Sequence, residues 1–315
     1  MKPLFVVGAP RSGTTLVRNL LRSLSDVYLL PDEFQILKRF IQAVEASQDP
    51  KMIAEMLDGS TFAMHMRRRG FWPNRDDLTA LLANKPASEA FRDLVVAIAN
   101  LEGVGTVRWW GDKTPETVFE LDLVARIWPD VQILYVQRDP RATVMSMHKS
   151  WGRSLTRSAM IWRDAIRAAH IFKAQFPEQY RLVEFETLTE EPATQLAALS
   201  TWLDVSFEPE KLKNVTSEER WGSAAGSTGI VKRAPDWQQN LTQSQIRLIE
   251  EICFDEMRTC GIEPLYATQV RTPSKQTERL LKLNDAIRVL QSYARERGWR
   301  QAIAYKINQW RNSVS

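Results

Sequence analysis

The sequence has few cysteines and histidines and contains no long apolar run. Cys253 and Cys260 lie seven residues apart in a segment with helical periodicity, which excludes a disulfide framework and a zinc spacing and indicates a reducing compartment. The three histidines are scattered, so we expect packing roles for them and no metal site. The N-terminal residues lead directly into a strand that is too short for a signal-peptide core, and no apolar run of about 18 residues follows. These absences predict a soluble cytoplasmic protein.

The charge of the chain is concentrated at its C-terminal end. The net charge is +4, but the residues from Ala267 onward carry ten Lys and Arg against three Asp and Glu, or +7. The remaining body is therefore slightly acidic, at −3, and gives no indication of nucleic-acid binding. With 315 residues, of which 44% are hydrophobic, the chain can bury the core of one large domain that carries an insertion.

Strand and helix patterns alternate along the chain, and this predicts an α/β fold with a P-loop-like central parallel sheet flanked by helices. Predicted strands cover residues 4–7, 107–110, 131–136 and 181–185, and a short extended piece covers residues 26–31. A helix is expected to begin at Asp32 and to run to about Glu45. We assign residues 1–265 to the main domain, with a helical insertion over about 47–105 that is expected to shape a second-substrate pocket.

The C-terminal tail (residues 266–315) is predicted to form two amphipathic helices with basic outer faces. Their apolar positions recur in steps of three and four: Leu280, Leu283, Ile287 and Leu290, then Trp299, Ile303, Ile307 and Trp310. The tail is expected to pack on the body or on a dimer partner, with a peripheral membrane contact or a contact with a lipid acceptor as the alternative.

A glycine-bearing loop joins the first strand to the first helix. Gly8 and Gly13 have the spacing of a nucleotide P-loop, but Thr14 stands where that pattern requires lysine, and the cation nearest to it is Arg11. The missing lysine makes the loop poorly suited to Mg-ATP, since that lysine reaches the β- and γ-phosphates. The loop suits a nucleotide whose 5′ end carries one phosphate and one further anionic group.

Cations follow three predicted strands. Arg11 lies in the loop after the first strand, Lys113 follows the strand near residue 110, and Arg138 follows the strand that ends near residue 136. Ser146, eight residues beyond Arg138, would offer a hydroxyl two helical turns further along on the same side. Three cations at neighbouring carboxyl ends, beside a phosphate-binding loop, predict a site for a polyanion.

These motifs resemble those of the sulfotransferases that use 3′-phosphoadenosine-5′-phosphosulfate (PAPS). The loop is similar to their 5′-phosphosulfate loop, and Arg138 with Ser146 is similar to their 3′-phosphate motif. The segment around Lys113 resembles the lysine-bearing segment of the bacterial and protein-tyrosine branches. The resemblance covers roughly residues 4–262 and is carried by these stretches: Gly8-Ala9-Pro10-Arg11-Ser12-Gly13-Thr14-Thr15, Trp110-Gly111-Asp112-Lys113-Thr114-Pro115 and Arg138-Asp139-Pro140-Arg141.

The resemblance implies a role for each matching position. The 5′-phosphosulfate would be held by backbone N–H groups of the loop together with Arg11, Ser12, Gly13, Thr14 and Thr15. Arg138 and Ser146 would hold the 3′-phosphate. Phe185 stands where the family often has a tyrosine beside the adenine. A last donor-contacting loop would contribute Ser227, Lys232 and Arg233.

The implied reaction is in-line sulfuryl transfer from PAPS to an acceptor hydroxyl, without a metal, leaving adenosine 3′,5′-bisphosphate (PAP). Glu33 corresponds to a catalytic carboxylate of related branches and is the expected general base, with the adjacent Asp32 as the alternative. Lys113 and Arg11 would neutralise the charge that builds on the leaving oxygen. The competing interpretations are an ATP-dependent P-loop kinase and a nucleotide-binding module without catalytic activity.

The acceptor is not defined by any motif. Aromatic residues in segments 47–105 and 206–235 are expected to wall its pocket: Phe62, Phe71, Trp72 and Trp221. The resemblance to the bacterial branch favours a carbohydrate or glycolipid hydroxyl, and a phenolic or natural-product hydroxyl is the alternative.

Overall fold

The fold was analysed in a computed structural model that describes residues 1–46, 49–105, 107–208, 210 and 236–299. The described residues contain one parallel sheet with the strand order β2-β3-β1-β4-β5. Its strands are β1 (Lys2–Gly8), β2 (Val27–Leu29), β3 (Trp109–Asp112), β4 (Gln132–Gln137) and β5 (Tyr180–Glu184). The predicted α/β class with a central parallel sheet is confirmed, and β1 lies at the centre of the sheet.

Helices cover both faces of the sheet. Those in the N-terminal half are α1 (Thr14–Leu21), α2 (Leu37–Glu45), α3 (Pro50–Asp58), α4 (Thr61–Arg69), α5 (Arg75–Leu82), α6 (Ala87–Leu101) and α7 (Leu121–Ile127). Those that follow are α8 (Pro140–Trp151), α9 (Leu155–Gln175), α10 (Phe185–Glu190), α11 (Pro192–Leu203), α12 (Trp237–Asn240), α13 (Gln243–Thr259) and α14 (Lys275–Arg297). Short 3-10 helices cover Pro115–Glu120 and Pro177–Gln179.

The alternation of side chains along β1 divides the core into two layers. Phe5 and Val7 point into a large, aromatic-rich cluster, whereas Leu4 and Val6 point into a smaller aliphatic cluster beneath α1 and α11. Both faces of a parallel strand are covered by helices, which explains why the sequence of β1 is apolar throughout and does not alternate with polar residues. The site at its carboxyl end therefore stands on the central, buried strand of the sheet.

Gly111 sets the spacing between β1 and β3. A Cβ atom added at this position would lie 1.8 Å from the carbonyl oxygen of Leu4 on the neighbouring strand. No side chain fits there unless the two strands move apart, so glycine is required for the close approach of the backbones. Asp112 and Lys113 follow directly, and their positions are set by this contact.

The helix predicted from Asp32 begins later than expected, because α2 starts at Leu37. Residues 32–36 form an irregular segment in which Phe34 is fully buried. The ring centroid of Phe34 lies 4.9 Å from that of Phe91 and 5.2 Å from that of Phe62. Burying this ring holds the segment out of the helix and fixes the two acidic residues before it at the carboxyl edge of the sheet.

In the part of the tail that the structure describes, the predicted apolar positions of α14 do not pack on the body. Leu280, Leu283 and Ile287 of α14 are 63%, 61% and 47% exposed, whereas Asp285 is only 1% exposed. Helix α14 thus faces the body with a polar position, because Asp285 finds hydrogen-bond donors there. Among the described residues, no helix combines the length and the apolar character that crossing a bilayer requires.

Candidate active site

The loop after β1 is shaped to receive an anion. The backbone N–H of Ser12 donates to the carbonyl of Ala9 at 3.1 Å, and Gly13, with a φ of +99°, begins α1. In the described part of the chain no side chain caps this helix, so the N–H groups of its first turn remain available to a ligand. The hydroxyl of Ser12 is buried there and has no hydrogen-bond partner among the described residues. These features fit the 5′ end of a phosphorylated nucleotide.

Phe185 packs directly against this loop. A Cβ atom added to Gly13 would lie 2.2 Å from a ring carbon of Phe185, so only glycine allows the ring to approach this closely. The guanidinium of Arg138 stacks on the other part of the same ring, 4.4 Å from its centroid. Arg138 also donates to the carbonyl of Arg11 at 3.2 Å. The loop, the end of β4 and the start of α10 therefore form one wall.

Arg11 connects the loop to α8. Its backbone has a positive φ of 69°, and its Nε donates to the hydroxyl of Ser146 at 3.2 Å. Asp139 caps α8 by accepting the backbone N–H of Arg141, which fixes the helix immediately after Arg138. Ser146 is thus held beside the loop, near the two arginines that the sequence analysis grouped with it.

Three neighbouring strands bring their cations to one edge. Strands β3, β1 and β4 are adjacent and parallel, and they end just before Lys113, Arg11 and Arg138 respectively. The carboxyl ends of parallel strands form the ligand-binding edge of an α/β sheet. Most of the predicted site residues therefore share one edge: Arg11, Ser12, Gly13, Thr14, Thr15, Glu33, Lys113, Arg138, Ser146 and Phe185.

Lys113 and Glu33 form a partly buried ion pair beside the loop. Lys113 is 3% exposed, and its Nζ lies 2.5 Å from Oε1 of Glu33 and 3.3 Å from the hydroxyl of Thr15. The other carboxylate oxygen of Glu33 accepts from the side-chain amide of Gln35 at 3.1 Å. A carboxylate and an ammonium group in contact with the anion-binding loop can remove a proton and neutralise a leaving oxygen.

Asp32, the alternative base, points away from Lys113. Its Oδ1 accepts the backbone N–H of Glu33 at 2.9 Å, and its Oδ2 lies 2.5 Å from Nδ1 of His65 on α4. The sequence analysis assigned His65 to packing and missed this pair. Residues 32 and 65 are far apart in the chain, and no spacing motif signals their contact. The pair ties the insertion to the segment that carries Glu33.

Asp112 is a second acidic group that the sequence analysis did not single out. It is completely buried at the end of β3, and its Oδ1 accepts the backbone N–H of Phe34 at 3.2 Å. Burial raises the pKa of its carboxyl to about 6, against the lowering effects of its hydrogen bonds and of Lys113. Asp112 holds the residue that follows Glu33 and therefore helps to position the ion pair.

We expect Asp112→Asn to be more stable than the wild type above about pH 6. Because the folded-state pKa lies above the ordinary value of 3.8, the folded protein binds more protons between these values, and its stability falls as the pH rises. Asparagine keeps the acceptor for Phe34 and removes the charge, so the gain is at most about 3 kcal/mol. Urea unfolding from pH 4 to pH 8 measures the free energy of unfolding of the variant and of the wild type, and the substitution of the exposed Asp76 by Asn is the control. A difference between variant and wild type that is the same at every pH would contradict the raised pKa of Asp112.

Glu116 belongs to the 3-10 helix that follows Lys113, and it is exposed. Desolvation by the surrounding protein and the charge of Glu33 raise the pKa of its carboxyl to about 7, while Arg153 and Lys113 oppose this shift.

The remaining expected positions are either outside the described residues or packed at the core. Ser227, Lys232 and Arg233, together with Trp221, lie outside the described residues. Phe62 is only 3% exposed and packs against Phe34 and Trp72, so it belongs to the core and not to a pocket wall. The structure describes Phe71 and Trp72 as half-buried residues packed against the core. Among the described residues, no group of three His, Cys, Asp or Glu side chains has a geometry for a metal ion.

Comparisons with known proteins agree with this geometry. A family model described as "Sulfotransferase family" matches residues 3–209, which contain β2 to β5 and all of β1 except Lys2. Human carbohydrate sulfotransferase 6 is 24% identical over 171 residues, which are 44% of this chain and 43% of that protein. This chain thus matches less than half the length of the human relative. A putative protein-tyrosine sulfotransferase from Caenorhabditis briggsae is 20% identical over 265 residues, which are 79% of this chain and 85% of that protein.

A solved structure shares the fold. The sulfotransferase domain of the Synechococcus PCC 7002 olefin synthase superposes with a TM-score of 0.50 at 19% identity, covering 90% of this chain and 94% of that domain. The family match covers well over half of the chain. The chain therefore belongs to the sulfotransferase family and is an enzyme that transfers a sulfuryl group.

Proposed function

We propose that this enzyme transfers the sulfuryl group of PAPS to a hydroxyl of a carbohydrate or glycolipid, with Glu33 as the general base. The observation that carries the proposal is the Lys113–Glu33 ion pair, which touches the anion-binding loop through Thr15. It supplies a proton acceptor and a positive charge at the same edge of the sheet. Sulfuryl transfer to a hydroxyl requires both of these beside the donor.

The residues present fit PAPS at both of its ends. The uncapped first turn of α1 and the side chains of Arg11, Thr14 and Thr15 would hold the 5′-phosphosulfate. Arg138 and Ser146 would hold the 3′-phosphate, and the ring of Phe185 would lie against the adenine. Arg11, Lys113 and Arg138 supply the positive charge, so we expect transfer to continue in the presence of a chelator.

The chain's own side chains then have distinct tasks. Glu33 removes the proton from the acceptor hydroxyl, whose oxygen forms the new bond to sulfur. The bond from sulfur to the bridging oxygen breaks, and that oxygen leaves on PAP with the electron pair. Lys113 stabilises the charge that develops on it. Glu33 and Lys113 are in contact before the acceptor binds, so the donor must draw Lys113 toward the leaving oxygen to release the carboxylate.

The relatives support the choice of acceptor, and the loop after β1 supports the choice of donor. One relative is named a carbohydrate sulfotransferase, and another is named a putative protein-tyrosine sulfotransferase, whose acceptor is a phenolic hydroxyl. Thr14 in place of the P-loop lysine weighs against Mg-ATP as donor. The phenolic hydroxyl therefore remains the alternative acceptor.

The deciding experiment offers labelled donors to a short panel of acceptors. Sulfur-labelled PAPS with EDTA, and γ-phosphate-labelled ATP with magnesium, are each incubated with chitobiose, with a glycolipid in micelles and with p-nitrophenol. We expect sulfur label on a saccharide or the glycolipid and no transfer from ATP. Label on p-nitrophenol alone would overturn the carbohydrate assignment. Phosphate transfer, or PAPS binding without transfer to any acceptor, would overturn the proposal as a whole.

We expect Glu33→Gln to lower turnover about 10²- to 10⁴-fold, because the variant keeps the shape of the side chain and loses the proton acceptor. The affinity for PAP, measured by calorimetry, should stay within about threefold of the wild type, since a general base contributes to the barrier and not to product binding. Asp32→Asn is the matched control, because it neutralises the adjacent carboxylate that pairs with His65. A large loss in Asp32→Asn and a small one in Glu33→Gln would assign the base to Asp32.

A further inference from the structure

A buried carboxylate of α13 joins two distant parts of the chain. Glu250 is fully buried, and its Oε1 accepts from Nη1 of Arg141 on α8 at 3.0 Å. Its two oxygens also accept three consecutive backbone N–H groups where the tail begins, at 3.0, 2.7 and 3.1 Å: those of Leu265, Tyr266 and Ala267. A carboxylate removed from water needs such partners. Glu250 therefore holds Arg141 from a part of the chain that lies beyond the residues matched by the family model.

Arg141 is held from two further sides. Asp139, which caps α8 through the backbone N–H of Arg141, also accepts from Nε of this side chain at 3.0 Å and from Nη2 at 2.6 Å. The guanidinium stacks on the ring of Trp237, 4.4 Å from its centroid. Arg141 is only 6% exposed. Protein groups thus bind this guanidinium on three sides, which makes it a fixed point at the start of α8.

The two residues proposed to hold the 3′-phosphate flank Arg141 in the chain. Arg138 lies just before α8, and Ser146 lies on that helix. The carbonyl of Arg138 accepts the indole N–H of Trp162 at 2.9 Å, which locates the backbone before the helix. The pair between Arg141 and Glu250 locates the first turn of the helix itself. A shift of this turn would move the hydroxyl of Ser146 relative to Arg138, and a phosphate could then not contact both in good geometry.

We propose that Glu250 is a positioning residue of the donor site, which acts by holding Arg141 in place. The fixed turn keeps Arg138 and Ser146 at the separation that the 3′-phosphate requires. The inference rests on the proposed function, because the donor is taken to be PAPS. It also predicts a sign. Removing a negative charge near an anion site should by itself strengthen anion binding, whereas the loss of a positioning residue should weaken it.

The test measures, by calorimetry on the full chain, the affinities for PAP and for adenosine 5′-monophosphate (AMP), which lacks only the 3′-phosphate. Glu250→Gln removes the charge of the carboxylate. Arg141→Lys keeps the positive charge but loses the planar group that reaches both Asp139 and Glu250. We expect each variant to bind PAP about tenfold more weakly, which is part of what charge-assisted hydrogen bonds contribute, and to bind AMP as the wild type does. Glu251→Gln is the matched control, because this neighbouring acid of α13 pairs with Arg271 of the tail at 3.6 Å.

The ratio of the two affinities separates a positioning role from a structural one. An equal loss for PAP and AMP, or unchanged PAP affinity in variants that thermal unfolding shows to be folded, would make Glu250 a structural residue and overturn the inference. Tighter binding of PAP by Glu250→Gln would overturn it as well, since charge alone would then explain the effect. If Glu250→Gln does not fold, Arg141→Lys decides.

The wild type distinguishes this inference from the proposed function. A wild type that binds PAP no more tightly than AMP would refute the proposed donor, and the role of Glu250 with it. A wild type that prefers PAP, together with folded variants that keep the same preference, would refute only the role of Glu250.

Discussion

Replacing Lys113 with alanine is expected to lower kcat about 10²- to 10³-fold, which is the effect of removing one preorganised charge at a developing oxyanion. Lys113 is buried, lies at the end of β3 and contacts both Glu33 and Thr15, so water cannot easily replace its ammonium group. The affinity for PAP should fall less than about tenfold, because the interaction strengthens mainly in the transition state.

Single-turnover transfer from labelled PAPS measures the rate, and calorimetry measures PAP affinity. Lys85→Ala is a matched control, since Lys85 also forms a close ion pair, 2.6 Å from Asp93, but in the helical insertion. Thermal unfolding of both variants checks that the fold is retained. An affinity loss that accounts for the whole loss of activity would show that Lys113 only binds the donor.

Replacing Arg138 with alanine is expected to produce the opposite pattern. Charge-assisted hydrogen bonds contribute about 1.5–3 kcal/mol, so PAP should bind about 10- to 150-fold more weakly. At saturating PAPS, kcat should stay within about threefold of the wild type, since the 3′-phosphate is remote from the bond that breaks. The variant also loses the stacking of Arg138 on Phe185, which makes a small contribution to the same wall.

The matched control for Arg138 is a ligand and not a second variant. Adenosine 5′-phosphosulfate lacks the 3′-phosphate, so the wild type and Arg138→Ala should bind it with similar affinity in a competition assay. An equal loss for both ligands would mean that Arg138 supports the loop through its hydrogen bond to Arg11 and does not recognise the 3′-phosphate.

The sheet and the position of the site could be predicted because they depend on local patterns. Apolar strands, the glycine spacing and the cation after each strand are readable within a few residues, and parallel strands then bring Arg11, Lys113 and Arg138 to one edge. The sequence also named Glu33, but it left the choice between Glu33 and Asp32 open. The structure shows which of them contacts Lys113, because the burial of Phe34 decides how each side chain is turned.

The contacts that escaped prediction join residues that are distant in sequence. The Asp32–His65 and Asp285–Ser154 contacts depend on how whole helices pack, and no periodicity encodes them. A stripe of leucines normally indicates the buried face of a helix, but in the described part of α14 the residue that contacts α9 is Asp285.

Gly111 also affects how the motif around Lys113 should be interpreted in other chains. The glycine is dictated by the backbone of β1, whereas the lysine two residues later is proposed to take part in the chemistry. A duplicated copy that had lost this lysine would still need the glycine in order to fold. A chain that matches only the glycine thus shares the fold. A search for active members of the family should give more weight to the position of Lys113.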